Sequence, residues 1–386
     1  MDEPLDAAAD GPEATDAREA LRTVHEDHGA TFEEVGGVEV VSDYGDRERT
    51  HRAVRNGVGV IEAPYDVVVL EGGDRHEYLD NVVTSRVPTA EGAGCYALLL
   101  DPQGRIEVDM YVYDAGERLL VLLPPGTARD VVDGWETFIQ DVEIRVATDE
   151  FAVFGVHGPA AAETVESVMD GAAAPDERLS FVRGSMGEAG VSVIRTDAPA
   201  GEVGYEVVCA ATDAGDVLDA LLHRGPAAVP FGRTTWRALT LEAGTPLYET
   251  ELDGRIPNVA GVRNAVDFEK GCFVGQEVVS KVENLGRPSR KLVGLELARG
   301  AGSDGDRLPA SGAAVSADGD DVGEVTRAAE SPTREAPVAL AFVDFGLGAD
   351  AGVTVNVSGE DVAASIESLP LVEGSDRSAR IPSYPD

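Results

Sequence analysis

Lysine is almost absent from this 386-residue sequence, in which the three lysines are Lys270, Lys281 and Lys291. All other basic residues are arginines, and 71 acidic residues against 31 basic ones give a formal net charge of −40. The acids are dispersed among regular apolar segments, whereas an acidic disordered protein would show charge blocks and few aliphatic residues. This distribution is typical of a halophilic, haloarchaeal-type protein, because concentrated salt shortens the Debye length to about 3 Å and screens the repulsion.

Cysteine and histidine are also scarce. Cys95, Cys209 and Cys272 are far apart and form no C-x-x-C pair, which argues against a zinc knuckle and a disulfide framework. Cys95 and Cys209 stand in apolar, strand-like runs and are expected to be buried thiols. The six histidines are scattered without ligand spacing, and acids are abundant everywhere, so we predict no metal site.

Several common signals are missing. No apolar run approaches the roughly 20 residues that span a bilayer, and the acidic N-terminus lacks the features of a signal peptide, so we expect a cytoplasmic protein. The sequence has no P-loop, no strand-borne G-x-G-x-x-G and no G-x-S-x-G motif. A net charge of −40 opposes general nucleic-acid binding, although the basic residues from Lys281 to Lys291 leave a local contact with tRNA open. We expect a monomer.

Composition divides the chain into six stretches. An acidic disordered tail is predicted for residues 1–14 and a loose polar tail for residues 371–386. Between them lie a first α+β unit, a second, ferredoxin-like α+β unit, a connecting helix with a loop-rich stretch, and a small antiparallel β-barrel, over residues 15–150, 151–235, 236–289 and 290–370.

Apolar periodicity places elements within these stretches. A first helix is predicted to begin after an Asp16 cap and to end near Gly29. Further helices are predicted over HEYLDNVVT, GTARDVVDGWETFIQ, AAAETVESVMD, AGDVLDALLHRG and TTWRALTLEAG. The strands of the first unit are VGVIEAP, DVVVLEG, GCYALLL, IEVDMYVY and RLLVLLP, and those of the second are FAVFGVHG, VSVIRTD and GYEVVCA. Short strands separated by Gly, Asp and Pro turns follow from Arg290.

The segment KGCFVGQE, residues 270–277, is the strongest local feature. Its cysteine lies between two glycines, which permit tight turns and expose the thiol at a bend. The ammonium of Lys270 would favour the thiolate of Cys272. A cysteine beside an aromatic residue is equally consistent with packing, so both interpretations stand. The residues of this signature are Lys270, Gly271, Cys272, Phe273, Gly275, Gln276 and Glu277.

This segment resembles the K-G-C-[FY]-x-G-Q-E signature of the folate-binding YgfZ family. LEAGTPLYETELDGRIPNVAG is similar to a stretch shared by YgfZ proteins and glycine-cleavage T-proteins, and GEVGYEV and GEVTRAAESP extend the resemblance over about residues 25–360. The resemblance implies an α+β, three-part cloverleaf fold of the T-protein type, with a central folate pocket and a C-terminal antiparallel β-barrel. It also implies tetrahydrofolate as the cofactor.

The resemblance gives Asp109 a role. GRIEVDMYVY is similar to the T-protein pattern G-x-I-x-D-D-L, in which the second aspartate is catalytic, and Asp109 occupies that position. Strict alternation along the strand predicts that Asp109 shares one face with Glu107, opposite Ile106, Val108 and Met110. A carboxylate near the folate amines could stabilise positive charge that grows during transfer.

The resemblance also implies ligand-reading residues. Glu202 fits the pterin-reading glutamate, because an ionised carboxylate accepts the two adjacent donors of a pterin side by side. Tyr205 either stacks on the ring or packs, and Tyr248 of the shared L-E-x-G-x-P-x-Y stretch is a further candidate. An anionic glutamyl tail favours arginine, and the candidates are Arg233, Arg237 and Arg263, because Trp236 stands where the family has its arginine.

Two departures separate the chain from T-proteins. Residues 84–87 read TSRV where the family has T-N-D-V, and residues 61–64 read IEAP where it has D-x-S-H. The resemblance therefore leaves three functions open. The first is a YgfZ-like folate protein with Cys272 as its functional thiol, assisting one-carbon chemistry linked to iron–sulfur protein maintenance or tRNA modification. The second is an aminomethyltransferase that works with a lipoyl carrier protein, and the third is a folate-binding module without catalysis.

Overall fold

A computed structural model describes residues 12–135, 141–298 and 308–385. An acidic tail was predicted for residues 1–14, and its residues 1–11 lie outside the described part of the chain. The first helix begins at Pro12, ahead of the predicted Asp16 cap, so residues 12–14 are helical. The end of the predicted helix GTARDVVDGWETFIQ, residues 136–140, also lies outside the described residues.

The helices provide the outer layers and the connections. They are α1 Pro12–Asp27, α2 Arg47–Asn56, α3 Arg75–Val82, α4 Ala128–Gly134, α5 Ala161–Val168, α6 Ala214–His223, α7 Arg233–Glu242, α8 Pro257–Ala260 and α9 Gln276–Leu285. Short 3₁₀ turns span Thr148–Glu150, Ala211–Asp213 and Arg263–Ala265, and a π-helical turn spans Tyr248–Leu252.

The strands before residue 240 are β1 Thr31–Val35, β2 Val38–Asp43, β3 Gly59–Glu62, β4 Asp66–Glu71, β5 Gly94–Leu100, β6 Ile106–Asp114, β7 Arg118–Leu123, β8 Glu143–Val146, β9 Phe151–His157, β10 Phe181–Met186, β11 Ala189–Arg195, β12 Gly204–Ala210 and β13 Val229–Pro230. The later ones are β14 Arg290–Leu297, β15 Ala314–Ala317, β16 Asp320–Ser331, β17 Ala336–Asp344, β18 Val353–Val357 and β19 Glu360–Glu367.

Two sheets form the body of the molecule. The first has the order β5-β6-β7-β4-β8 and the second the order β10-β11-β12-β9-β3-β13, while β1 and β2 form a separate hairpin. One apolar core joins the two sheets and includes Tyr111 from the first and Val208 from the second. The opposite face of the second sheet packs against α5 and α6, and that of the first packs against α3 and α4. Residues that point into the space between the sheets are therefore brought together from both units.

One strand lies in a different sheet from the one predicted. VGVIEAP was expected among the strands of the first unit, but β3 pairs with β9, with Val60 opposite Val156. It also pairs with β13 in parallel. The early chain thus completes the second sheet, because β9 offers a free edge to buried Val60 and Ile61.

The C-terminal barrel is confirmed. Six antiparallel strands close in the order β14-β17-β16-β15-β18-β19. Alternate side chains fill its interior, among them Leu295, Val325 and Val355, which are all nearly inaccessible to solvent.

The final segment is not the loose tail that its polar composition predicts. Leu371, Ser378 and Arg380 are each 5 % exposed. The backbone N–H of Ala379 donates to the carbonyl oxygen of Asp197 at 2.9 Å, and that of Ser383 donates to Gly261 at 2.9 Å. Such contacts offset the loss of chain entropy that would otherwise leave a polar segment unfolded.

Candidate functional site

A cavity of about 110 Å³ opens between the two sheets. Its wall combines aromatic rings with a few charged groups. The lining residues that could contact a ligand through polar or aromatic groups are Tyr65, Asp109, Tyr111, His157, Glu206, Arg233, Trp236, Tyr248, Glu249 and Arg380. Such a mixture of apolar wall and few polar groups is typical of a small-molecule site.

Asp109 lies on β6 at the inner wall of this cavity and is 6 % exposed. Its Oδ2 accepts a hydrogen bond from the hydroxyl of Tyr96 at 2.7 Å and faces the Nη1 of Arg380 at 3.5 Å. Its Oδ1 is buried and has no hydrogen-bond partner among the residues that the structure describes. Burial raises the pKa of Asp109, while Arg380 and Tyr96 act to lower it. One carboxylate oxygen is thus fixed and the other is left for a ligand.

A β-bulge changes the predicted alternation along β6. Leu99 pairs with Val108 and Leu100 with Ile106, so Glu107 is the extra residue and is exposed. Ile106 consequently packs in the core between the sheets, on the side of Tyr111, and not with Val108. The prediction that Glu107 shares the face of Asp109 opposite Ile106 is wrong, because the bulge inserts one residue into the pairing.

Glu206 is the acid that the second sheet contributes to the cavity. It lies on β12, is 5 % exposed, and accepts a hydrogen bond from the hydroxyl of Tyr65 at 2.8 Å. Burial raises the pKa of Glu206 to about 7, more than the Tyr65 hydrogen bond lowers it. The carboxyl therefore changes its charge near neutral pH.

Glu202, the predicted pterin reader, does not line this cavity. Its side chain is 1 % exposed, and its Oε1 accepts a hydrogen bond from Arg55 Nη1 at 2.7 Å. Its Oε2 accepts hydrogen bonds from the backbone N–H of Ser375, at 2.9 Å, and from the Ser375 hydroxyl. Both oxygens are thus used inside the protein, and Glu202 anchors the C-terminal segment.

Tyr205 also points away from the cavity. It is 4 % exposed in the core on the helical side of the second sheet, with the guanidinium of Arg195 5.4 Å from its ring centre. Since neighbouring residues of a strand face opposite ways, the orientation of Glu206 towards the cavity requires that Tyr205 pack on the other side.

Of the three candidate arginines, Arg233 lines the cavity. It donates to both carboxylate oxygens of Glu249, at 2.6 and 2.8 Å. Arg237 lies further out, where its Nη1 is 3.6 Å from Glu33 Oε2. Arg263 is paired with Glu283 and lies over the ring of Phe268, away from the cavity. Of the three, Arg233 is the one that the structure places at the cavity.

Three rings, those of His157, Trp236 and Tyr248, form part of the cavity wall. Trp236 contacts His157, with ring centres 5.0 Å apart. Burial lowers the pKa of His157 to about 3, so this ring is neutral and acts as an apolar wall. Tyr248 donates from its hydroxyl to the backbone oxygen of Glu107 at 2.9 Å, and burial raises its pKa to about 12.

The signature segment lies outside the cavity. The ammonium of Lys270 donates to the carbonyl oxygens of residues 80, 83 and 85, at 2.5, 2.8 and 2.9 Å, and is buried. Phe273 is 7 % exposed in the core, whereas Cys272 is exposed. Gln276 and Glu277 form the first turn of α9. Lys270 thus binds the end of α3 and the loop after it, and among the described residues its ammonium forms no hydrogen bond with the thiol of Cys272.

Sequence reasoning missed several polar residues of the site, and four of them hold or provide its charged groups. They are Tyr65, Tyr96, Glu206 and Arg380. Alternation within GYEVVCA could have identified Glu206, since it faces opposite to the apolar Tyr205, Val207 and Cys209. No local signal marks Arg380, which lies in a polar segment without periodicity.

Two features are absent from the described residues. Among them no group of three His, Cys, Asp or Glu side chains is placed to hold a metal ion. No helix in the same residues is both long and apolar enough to cross a membrane.

Comparisons with known proteins agree with this architecture. Residues 21–270 match the GCVT N-terminal domain, and residues 290–373 match the glycine cleavage T-protein C-terminal barrel domain. An aminomethyltransferase of Streptomyces coelicolor is 32% identical over 369 residues, covering 92% of this chain and 97% of the relative. One of Geobacillus kaustophilus is 31% identical over 364 residues, covering 92% and 98%.

The fold has a counterpart among solved structures. The glycine cleavage system aminomethyltransferase T from Bartonella henselae superimposes with a TM-score of 0.81 at 22% identity, covering 93% of this chain and 98% of that one. The N-terminal match alone spans more than half of the chain. The chain therefore belongs to the glycine cleavage T-protein family.

Proposed function

We propose that the protein is a tetrahydrofolate-dependent aminomethyltransferase. It takes an aminomethyl group from a lipoyl carrier protein, releases ammonia and leaves methylene-tetrahydrofolate. The observation that carries this proposal is the buried Oδ1 of Asp109, which has no hydrogen-bond partner within the described part of the chain and lies in a cavity between the two sheets of a T-protein fold. The aminomethyltransferase relatives support it in preference to the YgfZ-like function.

The groups in the cavity fit a reduced folate. Glu206, when ionised, can accept the two adjacent donors of an aminopyrimidine edge. Trp236 and Tyr248 provide aromatic walls for a ring system. The volume of about 110 Å³ is below the roughly 300–1,000 Å³ of pockets that enclose drug-sized ligands. The cavity thus takes the ring, and the glutamyl tail passes outward towards Arg233 and Arg237.

The chemistry requires stabilisation of a developing positive charge. When bound, tetrahydrofolate supplies the two amine nitrogens that take up the methylene carbon. The carbon–sulfur and carbon–nitrogen bonds of the donor break, and the two hydrogens lost from the folate amines leave with the thiol and with ammonia. Asp109 supplies a fixed negative charge beside the reacting carbon, in a site shielded from water, where such a charge is most effective.

An ammonia-release assay with aminomethylated lipoyl carrier protein tests this function. Asp109→Asn keeps the shape of the side chain and removes its charge, so we expect the rate to fall by about 10²-fold or more. Cys272→Ser is the matched control and should keep the wild-type rate, because the thiol is exposed and outside the cavity. A wild-type rate in Asp109→Asn would remove Asp109 from the reaction.

The exposed thiol of Cys272 favours a second candidate, the YgfZ-like function. In that case the protein would assist folate-dependent one-carbon chemistry linked to iron–sulfur protein maintenance or tRNA modification. A genetic rescue assay in which Cys272→Ser fails and Asp109→Asn succeeds would favour it. Folate binding without ammonia release in the wild type and without a requirement for Cys272 would instead indicate a non-catalytic folate-binding module.

A further inference from the structure

The C-terminal segment reaches from the barrel to the centre of the molecule. After β19, Leu371 donates its backbone N–H to the carbonyl oxygen of Glu242 at 2.8 Å. Ser375 binds Glu202, and Asp376 accepts a hydrogen bond from Arg178 at 2.5 Å. These contacts fix the backbone of the segment before Arg380 to the body of the molecule.

Arg380 is the residue that this segment carries into the cavity wall. Its guanidinium is 5 % exposed, with Nε 3.2 Å from Asp197 Oδ2 and Nη1 3.5 Å from Asp109 Oδ2. It also lies over the rings of Tyr96 and Tyr111, 5.0 and 5.6 Å from their centres. One buried cation thus faces two buried carboxylates between two aromatic rings, an arrangement in which loss of the cation leaves uncompensated charge.

The contacts of Asp109 are unequal. Its Oδ2 accepts a hydrogen bond from the Tyr96 hydroxyl and faces Arg380, whereas Oδ1 is buried and no described residue forms a hydrogen bond with it. We propose that Arg380 is a positioning residue, which fixes the orientation and charge of Asp109 so that Oδ1 is presented to the ligand. The catalytic consequence of this arrangement rests on the proposed function; the electrostatic arrangement does not.

Four groups from different parts of the fold face Asp109. They are Tyr96 on β5, Asp197 after β11, Tyr248 in the π-helical turn, and Arg380. Burial raises the pKa of Asp109, and Asp197 acts in the same direction, whereas Arg380 and Tyr96 lower it. Removing the charge of Arg380 therefore takes away the largest influence that lowers the pKa of Asp109, and the carboxyl takes up a proton at a higher pH.

The test is a pH titration of the Asp109 carboxyl in the full chain. Infrared difference spectroscopy monitors the carboxyl, and Asp109→Asn is the reference that identifies its signal. We expect Arg380→Gln to raise the titration midpoint by about one pH unit or more, the usual effect of losing an adjacent opposite charge, and Arg380→Lys to restore most of the shift. Asp197→Asn should lower the midpoint, because it removes a like charge. Arg178→Gln is the matched control, which loosens the same segment outside the cavity and should leave the midpoint unchanged.

Activity gives a separate readout. The acidic limb of the pH–rate profile should move upward in Arg380→Gln together with the infrared midpoint. An unchanged midpoint in Arg380→Gln or in Asp197→Asn would overturn the assignment, as would an equal shift in Arg178→Gln. Absence of ammonia release in the wild type would contradict the proposed function alone, since the carboxyl titration does not depend on turnover.

Discussion

The residue at which β12 begins decides which glutamate of GEVGYEV reaches the cavity. Glu202 lies in the turn before β12, and Glu206 lies within that strand, opposite Gly155. Both acids suit a pterin chemically, so residue type alone could not choose between them. Glu206 reaches the cavity because it lies within β12 and shares with Val208 the side that faces the first sheet, whereas Glu202 lies before the strand begins. The unexpected function of Glu202 as an anchor depends on Ser375, a contact between distant residues that no local pattern predicts.

The charge of Glu206 should make stability depend on pH. Burial raises the pKa of Glu206 from 4.5 to about 7, so between these values the native state holds a proton that the unfolded state has lost. The free energy of unfolding should therefore fall as pH rises through this window, by up to about 3 kcal/mol. Glu206→Gln lacks this decrease, so its stability relative to the wild type should grow with pH. Denaturant titrations across the window measure the difference, and parallel curves for the two proteins would contradict the assignment.

Among the elements of the fold, the KGCFVGQE segment has a structural function, because it connects the loop after α3, the core between the sheets and α9. Lys270 clamps the loop after α3, Phe273 enters the core between the sheets, and Gly275 precedes α9. The sequence pattern correctly identified the segment as unusual and its thiol as exposed. It could not show that the Lys270 side chain turns inward, because the carbonyl groups that bind it come from residues 80–85.

The turn at Gly275 should tolerate no side chain. Its φ is +78°, and an added Cβ would lie 2.7 Å from the carbonyl oxygen of Asp101 and 2.8 Å from the Cα of Gly104. We expect Gly275→Ala to lower the free energy of unfolding by about 2 kcal/mol or more, from backbone strain and the clash together. Gly271→Ala, in the same segment but with open space around it, should change it by less than about 0.5 kcal/mol. Equal effects of the two substitutions would argue against a specific constraint at Gly275.

Elements were predictable where an apolar pattern extends over many residues of one segment. They were less predictable where the structure depends on pairing between strands that are distant in the sequence. The barrel strands and the helices α5, α6 and α7 follow the apolar pattern closely. The membership of β3 in the second sheet and the bulge at Glu107 depend on which strand edges meet, and a single segment does not contain that information. The bulge matters for the site, since it lies two residues before Asp109.

At the scale of the whole molecule, the cavity exists because separate parts of the chain converge on it. Asp109 comes from the first sheet, Glu206 from the second, Trp236 from α7 and Arg380 from the end of the chain. Composition and motif resemblance predicted the three-part fold and the position of Asp109. The last segment was predicted to be loose because its composition is polar, yet its side chains are held by ion pairs with the body, such as Asp376 with Arg195.

Calorimetric titration with tetrahydrofolate measures whether this cavity binds a reduced folate through Glu206. The titration belongs in about 1 M potassium chloride, which screens the repulsion within a chain of net charge −40. We predict that Glu206→Gln weakens binding by about 1–3 kcal/mol, the cost of losing a charged hydrogen-bonding partner. The matched variant Glu202→Gln, 1 % exposed and outside the cavity, should bind as the wild type does once its fold is verified. Wild-type affinity in Glu206→Gln, with affinity lost in Glu202→Gln, would contradict the account.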